Sequence, residues 1–109
     1  MRRYPVVVSV EAERDLDDIA SYIAGHDSID RAIFVTARIE RAVSALAPFP
    51  ARGPHPKELL EYGNRDFREV FFKPYRIIYR VLPDRVVVVL IADGRRDMHA
   101  LMNRRLLGA

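Results

Sequence analysis

The sequence predicts an α+β fold of order β-α-α-β-β-β-α, with a helical hairpin packed on a small, largely antiparallel sheet. Three observations carry this expectation. Apolar residues recur at helical spacing from Ala12 to Leu46, with a single interruption around residues 25–28. From Phe67 to Ala92 the pattern changes to alternating or unbroken β-branched and aromatic runs, punctuated by Pro74 and Pro83. A Pro- and Gly-rich stretch, residues 48–64, separates the two regimes.

Tyr4 to Val8 is a short strand-forming run, and Ser9 then offers a side-chain oxygen to cap a helix. Glu11 and Glu13 follow in the first turn, where the helix dipole favours carboxylates. Ala12, Leu16, Ile19, Ala20 and Ile23 form one apolar stripe, and Gly25 is expected to close the helix. Asp27 or Ser28 caps a second helix whose stripe reads Ala32, Thr36, Ile39, Val43 and Leu46, until Pro48 and Pro50 stop it. Two such helices cannot bury both stripes against each other, so a sheet must supply the opposing surface.

Residues 48–64 read as an irregular loop in which Lys57-Glu58-Leu59-Leu60 makes a single helical turn. Phe67 to Phe72 is the next strand. Tyr75 to Leu82 alternates, with Ile77, Tyr79 and Val81 on one face and Arg76, Ile78 and Arg80 on the other. Pro83-Asp84 turns the chain into Arg85 to Ala92, nearly all Val, Leu and Ile, the composition of a central strand covered on both faces. Asp93-Gly94 ends it. Asp97 to Leu107 is expected to be a short basic helix with Met98, Leu101, Met102 and Leu106 inward.

Length and composition suit one domain over residues 1–109, since half of the residues are apolar. No run approaches the roughly 20 apolar residues of a membrane span. The start Met1-Arg2-Arg3-Tyr4-Pro5 lacks the apolar core of a signal peptide, so the cytoplasm is the expected compartment and no membrane is a partner. With no cysteine there is neither a disulfide framework nor a thiolate metal site. His26 and His55 lie in loops without a partner at metal-ligand spacing, so neither metal nor cofactor is expected. The net charge of +3 is uneven: residues 1–50 balance at −2 and residues 51–109 at +5. Sixteen of the eighteen basic residues are arginine, which suits phosphate or carboxylate partners but equally a solvated surface.

Five segments, taken in order, resemble the RelE/ParE superfamily of bacterial toxins, nearer its ParE branch. They are Ser9 to Leu16 (SVEAERDL), Asp18 to Asp27 (DIASYIAGHD), Ala47 to Gly53 (APFPARG), Arg68-Glu69-Val70 with Pro74 to Val81 (PYRIIYRV), and Ile91 to Asp97 (IADGRRD). The resemblance implies the toxin of a type II toxin–antitoxin pair, a growth inhibitor neutralised by a cognate antitoxin whose flexible segment wraps it. Operator DNA would be contacted only indirectly, through the antitoxin. An acidic, disordered partner that folds on binding is compatible with an arginine-rich surface.

The superfamily hosts two activities, and individual residues must discriminate them. RelE-like members cleave mRNA on the ribosome and need a base, an acid and phosphate-binding cations. By motif position Arg76 and Arg96 match two of those cations, and Arg68 stands near a third. The companion basic position falls on Val70, and the place of a catalytic tyrosine falls near Met102. His99, three residues after Arg96, is the remaining candidate proton-transfer group, against the plainer reading of a surface histidine. Arg68, Arg76 and Arg80 also have a structural reading, pairing with Asp15, Asp18 or Glu69, and Tyr75 and Tyr79 read as packing residues. ParE-like members poison DNA gyrase without an active site of their own. The gaps at Val70 and Met102, the long helical hairpin and the RRD segment tilt the resemblance that way, with Arg95, Arg96, Arg104 and Arg105 as target-binding residues. A degenerate member that only binds antitoxin is the third alternative.

Overall fold

The computed structural model describes residues 3–108. Met1, Arg2 and Ala109, the ends of the basic N-terminal stretch and of the apolar tail, lie outside the described residues. The elements run β1 (Val6–Val8), α1 (Val10–His26), α2 (Ile29–Ser44), α3 (Lys57–Leu60), β2 (Arg68–Phe72), β3 (Tyr75–Val81), β4 (Val86–Asp93) and α4 (Met98–Leu106). The sheet order is β1-β4-β3-β2; β1 lies parallel to β4 and the other pairings are antiparallel. This is the expected α+β order.

The helix starts follow from their caps. Ser9 Oγ accepts from Ala12 N–H at 3.1 Å, Ser28 Oγ from Arg31 N–H at 3.0 Å, and Asp97 Oδ1 from Ala100 N–H at 3.1 Å. Each satisfies an amide that the helix leaves unpaired, for about 1 kcal/mol. Gly25 does not close α1 as expected. The helix runs on through His26, and Asp27 caps it by donating its N–H to Ile23 O at 2.8 Å. On α2 the buried stripe takes Val35 in place of Thr36. Thr36 turns its hydroxyl back to donate to Ala32 O at 2.9 Å, as a helical threonine does when it lacks an outside partner.

Two cores lie on the two faces of the sheet. The hairpin α1–α2 covers Ile77, Tyr79, Val86, Val88 and Ile91, while α3 and α4 cover Ile78, Leu90 and Ala92. Strict alternation could not place Val88 and Ile91 on the same side. The register explains it: Ile78 pairs with Leu90 but Tyr79 pairs with Val88, so Val89 is an extra residue, a β-bulge that reverses the facing of everything after it.

The bulge sits where β4 loses its other neighbour, since β1 ends at Val8 and the chain leaves the sheet into α1. Two side chains replace the missing strand. Asp15 Oδ2 accepts from Ile91 N–H at 3.0 Å, and Arg105 Nη2 donates to Val89 O at 3.2 Å. Arg105 also grips Asp15 through Nη1 and Nη2, at 2.8 and 3.0 Å. One bidentate pair thus ties α1, β4 and α4 together at the open edge.

The loop before β2 is pinned as well. Tyr79 Oη donates to Pro50 O at 2.7 Å and accepts from Gly53 N–H at 3.1 Å. A Cβ at Gly53 would lie 2.1 Å from Glu69 O, so only glycine lets the loop approach this closely.

Asp15→Ala leaves Ile91 N–H and the Arg105 guanidinium without their acceptor. Urea unfolding is expected to show a loss of roughly 2–3 kcal/mol, with faster amide exchange at Ile91. An exchange rate there equal to wild type would contradict the role given to Asp15.

Candidate functional site

Arg76 joins the two buried carboxylates of the chain's described residues, Glu58 and Glu69. Its Nε donates to Glu69 Oε1 at 2.7 Å, and its Nη1 and Nη2 donate to the two oxygens of Glu58 at 2.7 and 2.8 Å. Glu58 and Glu69 are each 5% exposed. The hydrogen bonds from Arg76 outweigh the desolvation of Glu58 and hold its carboxyl at about 2, below the ordinary 4.5. Glu58 in turn raises Arg76 above its ordinary range. Both edges of the Arg76 guanidinium are therefore occupied by protein carboxylates. Of the partners expected for it, Glu69 is present; Glu58, buried on a four-residue helix inside the loop, is a partner that no sequence periodicity marked.

The other residues of a hydrolytic site do not join Arg76. Arg68 pairs across the ladder with Tyr79, whereas Arg76 lies on the opposite face with Ile78; Arg68 Nη1 donates to Gly53 O at 2.8 Å. His99 is exposed, and its Nε2 meets Glu61 Oε2 at 3.2 Å. Met102 is 1% exposed within the second core. Arg105 serves the edge of β4, and Arg104 is exposed on α4. Tyr75 and Tyr79 pack against the first core, and burial raises both phenols. Among the described residues no group of three His, Asp or Glu side chains is placed to hold a metal ion.

Arg95 and Arg96 lie together on the turn between β4 and α4. Asp93 shapes that turn: its Oδ1 accepts from the Arg95 amide at 2.9 Å, and its carboxylate receives the Arg95 guanidinium at 2.6 Å. Arg95 holds the Asp93 carboxyl below its ordinary value. Gly94 presses against Arg76, since a Cβ there would meet Arg76 Cδ at 2.8 Å, so the buried charge cluster supports the turn from beneath. The turn forms one wall of a cleft of about 440 Å³, whose other wall is α1 with Asp18 and Tyr22, over a floor of Ile19 and Ile91. Both arginines are exposed. Sequence reasoning picked the arginines but not Tyr22, whose position off the buried stripe of α1 was the available signal.

A family model described as the ParE toxin of the type II toxin–antitoxin system parDE matches residues 6–98. This chain belongs to the ParE toxin family. A search of curated protein sequences gives no match. Among solved structures, the fold is similar to the chromosomal ParDE system of P. aeruginosa, at TM-score 0.70 and 16% identity over 84% of this chain and 96% of that one. It is similar to the RelBE2 toxin–antitoxin complex of Mycobacterium tuberculosis, at TM-score 0.57 and 22% identity over 85% and 93%. A mutant of the E. coli toxin RelE in the free state aligns at TM-score 0.60 and 10% identity over 93% of each chain. The expected RelE/ParE fold is therefore present, and within the superfamily the ParE family model covers nearly the whole described chain.

In this ParE family member the charge cluster makes a pH-dependent contribution to stability. Glu58 is depressed in the folded state, so its contribution is complete above about 4.5 and is lost as pH falls toward about 2. Urea midpoints measured across that window are expected to fall with pH, and Glu58→Gln is expected to flatten the slope. Arg76→Ala strands two buried carboxylates and is expected to cost roughly 3–5 kcal/mol at neutral pH. Wild-type stability in that variant would overturn the structural role of Arg76.

Proposed function

We propose that this chain is a growth inhibitor that poisons DNA gyrase through protein contacts, and that a cognate antitoxin neutralises it. The observation that carries the reading is the Arg95–Arg96 turn, exposed and braced from below, with no hydrolytic group among the described residues converging on Arg76. Arg76 is saturated by two glutamates, Arg68 lies on the other sheet face, and His99 is bound to Glu61. An RNA phosphate would have to displace buried carboxylates to reach Arg76, at the cost of an unpaired buried charge.

Arg95 and Arg96 are the contact residues of the proposal, with Arg104 on the adjoining helix. Arg105 contributes by holding α4 in place through Asp15. Charges on an exposed rim speed and orient association more than they bind, which suits a surface that must find a large target. The P. aeruginosa and M. tuberculosis structures are toxin–antitoxin assemblies by description, which supports an antitoxin as this chain's partner.

The test is growth arrest on expression of the toxin alone, with chromosome breakage and message integrity followed together. Wild type is expected to break DNA while translated mRNAs stay intact. Arg95→Ala with Arg96→Ala is expected to lose most of the toxicity while keeping the wild-type urea midpoint. Cut messages with unbroken DNA would transfer the reading to a ribosome-dependent endoribonuclease. No arrest by the wild-type chain would leave antitoxin binding as its activity.

A further inference from the structure

The outer side of α2 carries a basic ridge that neither the two cores nor the Arg95–Arg96 turn accounts for. Arg31, Phe34, Arg38 and Arg41 follow one another at steps of three, four and three, so they share one face of the helix. Phe34 meets Phe72 of β2 edge-on, with ring centroids 6.3 Å apart. The Arg31 guanidinium lies 5.3 Å from the Phe34 ring centre, and that of Arg38 lies 5.7 Å from Phe34 and 5.3 Å from Phe72. Arg52 continues the ridge beyond the helix, because its Nη1 donates to the carbonyl of Ala45, the C-cap of α2, at 3.2 Å. All four arginines are exposed, and among the described residues none of them forms an ion pair. The exposed Arg85 and Arg95, by contrast, each hold a neighbouring aspartate. Of the two carboxylates on α2, Glu40 lines a groove with Glu13 and Asp17 on the α1 side, and Asp30 sits in the first turn, where the helix dipole favours it. At its N-terminal end the ridge approaches the Arg95–Arg96 turn, since Tyr75 feels the charges of both Arg31 and Arg95.

Stacking over a ring restrains a guanidinium and leaves its N–H edges free to donate, so less freedom is lost when an anion binds. The ligand that fits such a ridge is a regular line of anions. From Arg31 to Arg41 the helix runs about 15 Å, and duplex DNA presents one phosphate charge per roughly 1.7 Å of its axis. The ridge therefore meets several phosphates in any register. An acidic peptide would have to match the uneven steps of seven and three between these arginines. Unpaired bases would need an open aromatic face, and the Phe34 ring already carries two guanidiniums. We propose that Arg31, Arg38, Arg41 and Arg52 bind the phosphate backbone of duplex DNA, without base contacts, and that Phe34 is the brace that positions the first two. Binding by the ridge stands independently of the gyrase reading. Its use rests on that reading, in which the ridge touches the DNA that gyrase holds while Arg95 and Arg96 touch the protein.

The full chain is titrated into a fluorescein-labelled duplex of about 20 base pairs, and anisotropy is followed at salt from about 50 to about 200 mM. Saturable binding is expected at the lower salt, equal for unrelated sequences. The slope of log affinity against log salt is expected at about −3 to −4, as four phosphate contacts imply. Arg31→Gln, Arg38→Gln and Arg41→Gln combined are expected to flatten that slope by about 3 and to weaken binding at least about tenfold. Arg14→Gln, Arg65→Gln and Arg85→Gln combined remove the same charge from exposed arginines elsewhere and leave both quantities unaltered. Phe34→Leu is expected to weaken binding with the slope kept, since it frees two guanidiniums without removing a contact. Urea midpoints check that the variants are folded; if the ridge triple is not, Arg38→Gln alone is expected to flatten the slope by about 1. No binding at the lower salt, or equal losses in the two triple variants, would overturn the proposal. So would a single strand of the same length binding more tightly than the duplex, or polyglutamate displacing the duplex at equal charge, because the ridge would then serve unpaired bases or an acidic protein. Gyrase is absent from these titrations, so duplex binding by a chain that leaves plasmid unbroken would remove the gyrase reading alone.

Discussion

β4 has to serve two cores at once, and the single extra residue at Val89 determines how it does so. Before the bulge, Val86 and Val88 face the helical hairpin; after it, Ile91 keeps to that side only because the alternation has been reversed. A bulge at a point where the neighbouring strand has ended would leave an amide and a carbonyl unpaired at a partly buried edge, each costing on the order of 1–3 kcal/mol. Asp15 and Arg105 meet both needs and satisfy each other. These residues stand 90 positions apart in the chain. Their pairing fixes α1 over one side of β4 and α4 over the other.

The surface features follow from that arrangement. With α1 held by Asp15 along the far half of β4, its next two turns bring Asp18 and Tyr22 opposite the end of the strand. The strand ends in Asp93-Gly94, and the glycine is demanded by Arg76 lying directly beneath it. Arg76 is itself immobilised by Glu58 and Glu69. A buried pair of this kind gives little net stability compared with apolar packing, but it makes the position of the turn above it specific. The exposed arginines are thus presented from a rigid base, which is the arrangement a protein-contact site needs.

The elements and their order were legible because each rests on a local signal: Ser9 and Ser28 as cap candidates, Pro74 and Pro83 as breaks, the Val-rich run as a doubly covered strand. Arg76 could be read as a structural residue paired with Glu69, since both lie on neighbouring strands. Other features were hidden because they depend on contacts distant in sequence. The bulge at Val89 is invisible in a run where every residue is Val, Leu or Ile. Glu58 sits in a loop whose path is set by Tyr79, and nothing local tells that it returns to Arg76. Arg105 read as a target-binding residue, because Asp15 carries no sign of its tertiary partner. Gly25 looked like a terminator, yet α1 runs on to its cap at Asp27, next to the Ser28 cap of α2, and glycine is only tolerated within it. The family resemblance reached the fold and the toxin class.

The most direct measurement is a gyrase cleavage assay with purified chain, plasmid DNA and ATP. The account predicts linear DNA covalently linked to gyrase, accumulating with the wild-type chain and absent when Arg95 and Arg96 are both alanine. Folded chain that leaves the plasmid unbroken, while cutting messages on translating ribosomes, would contradict it.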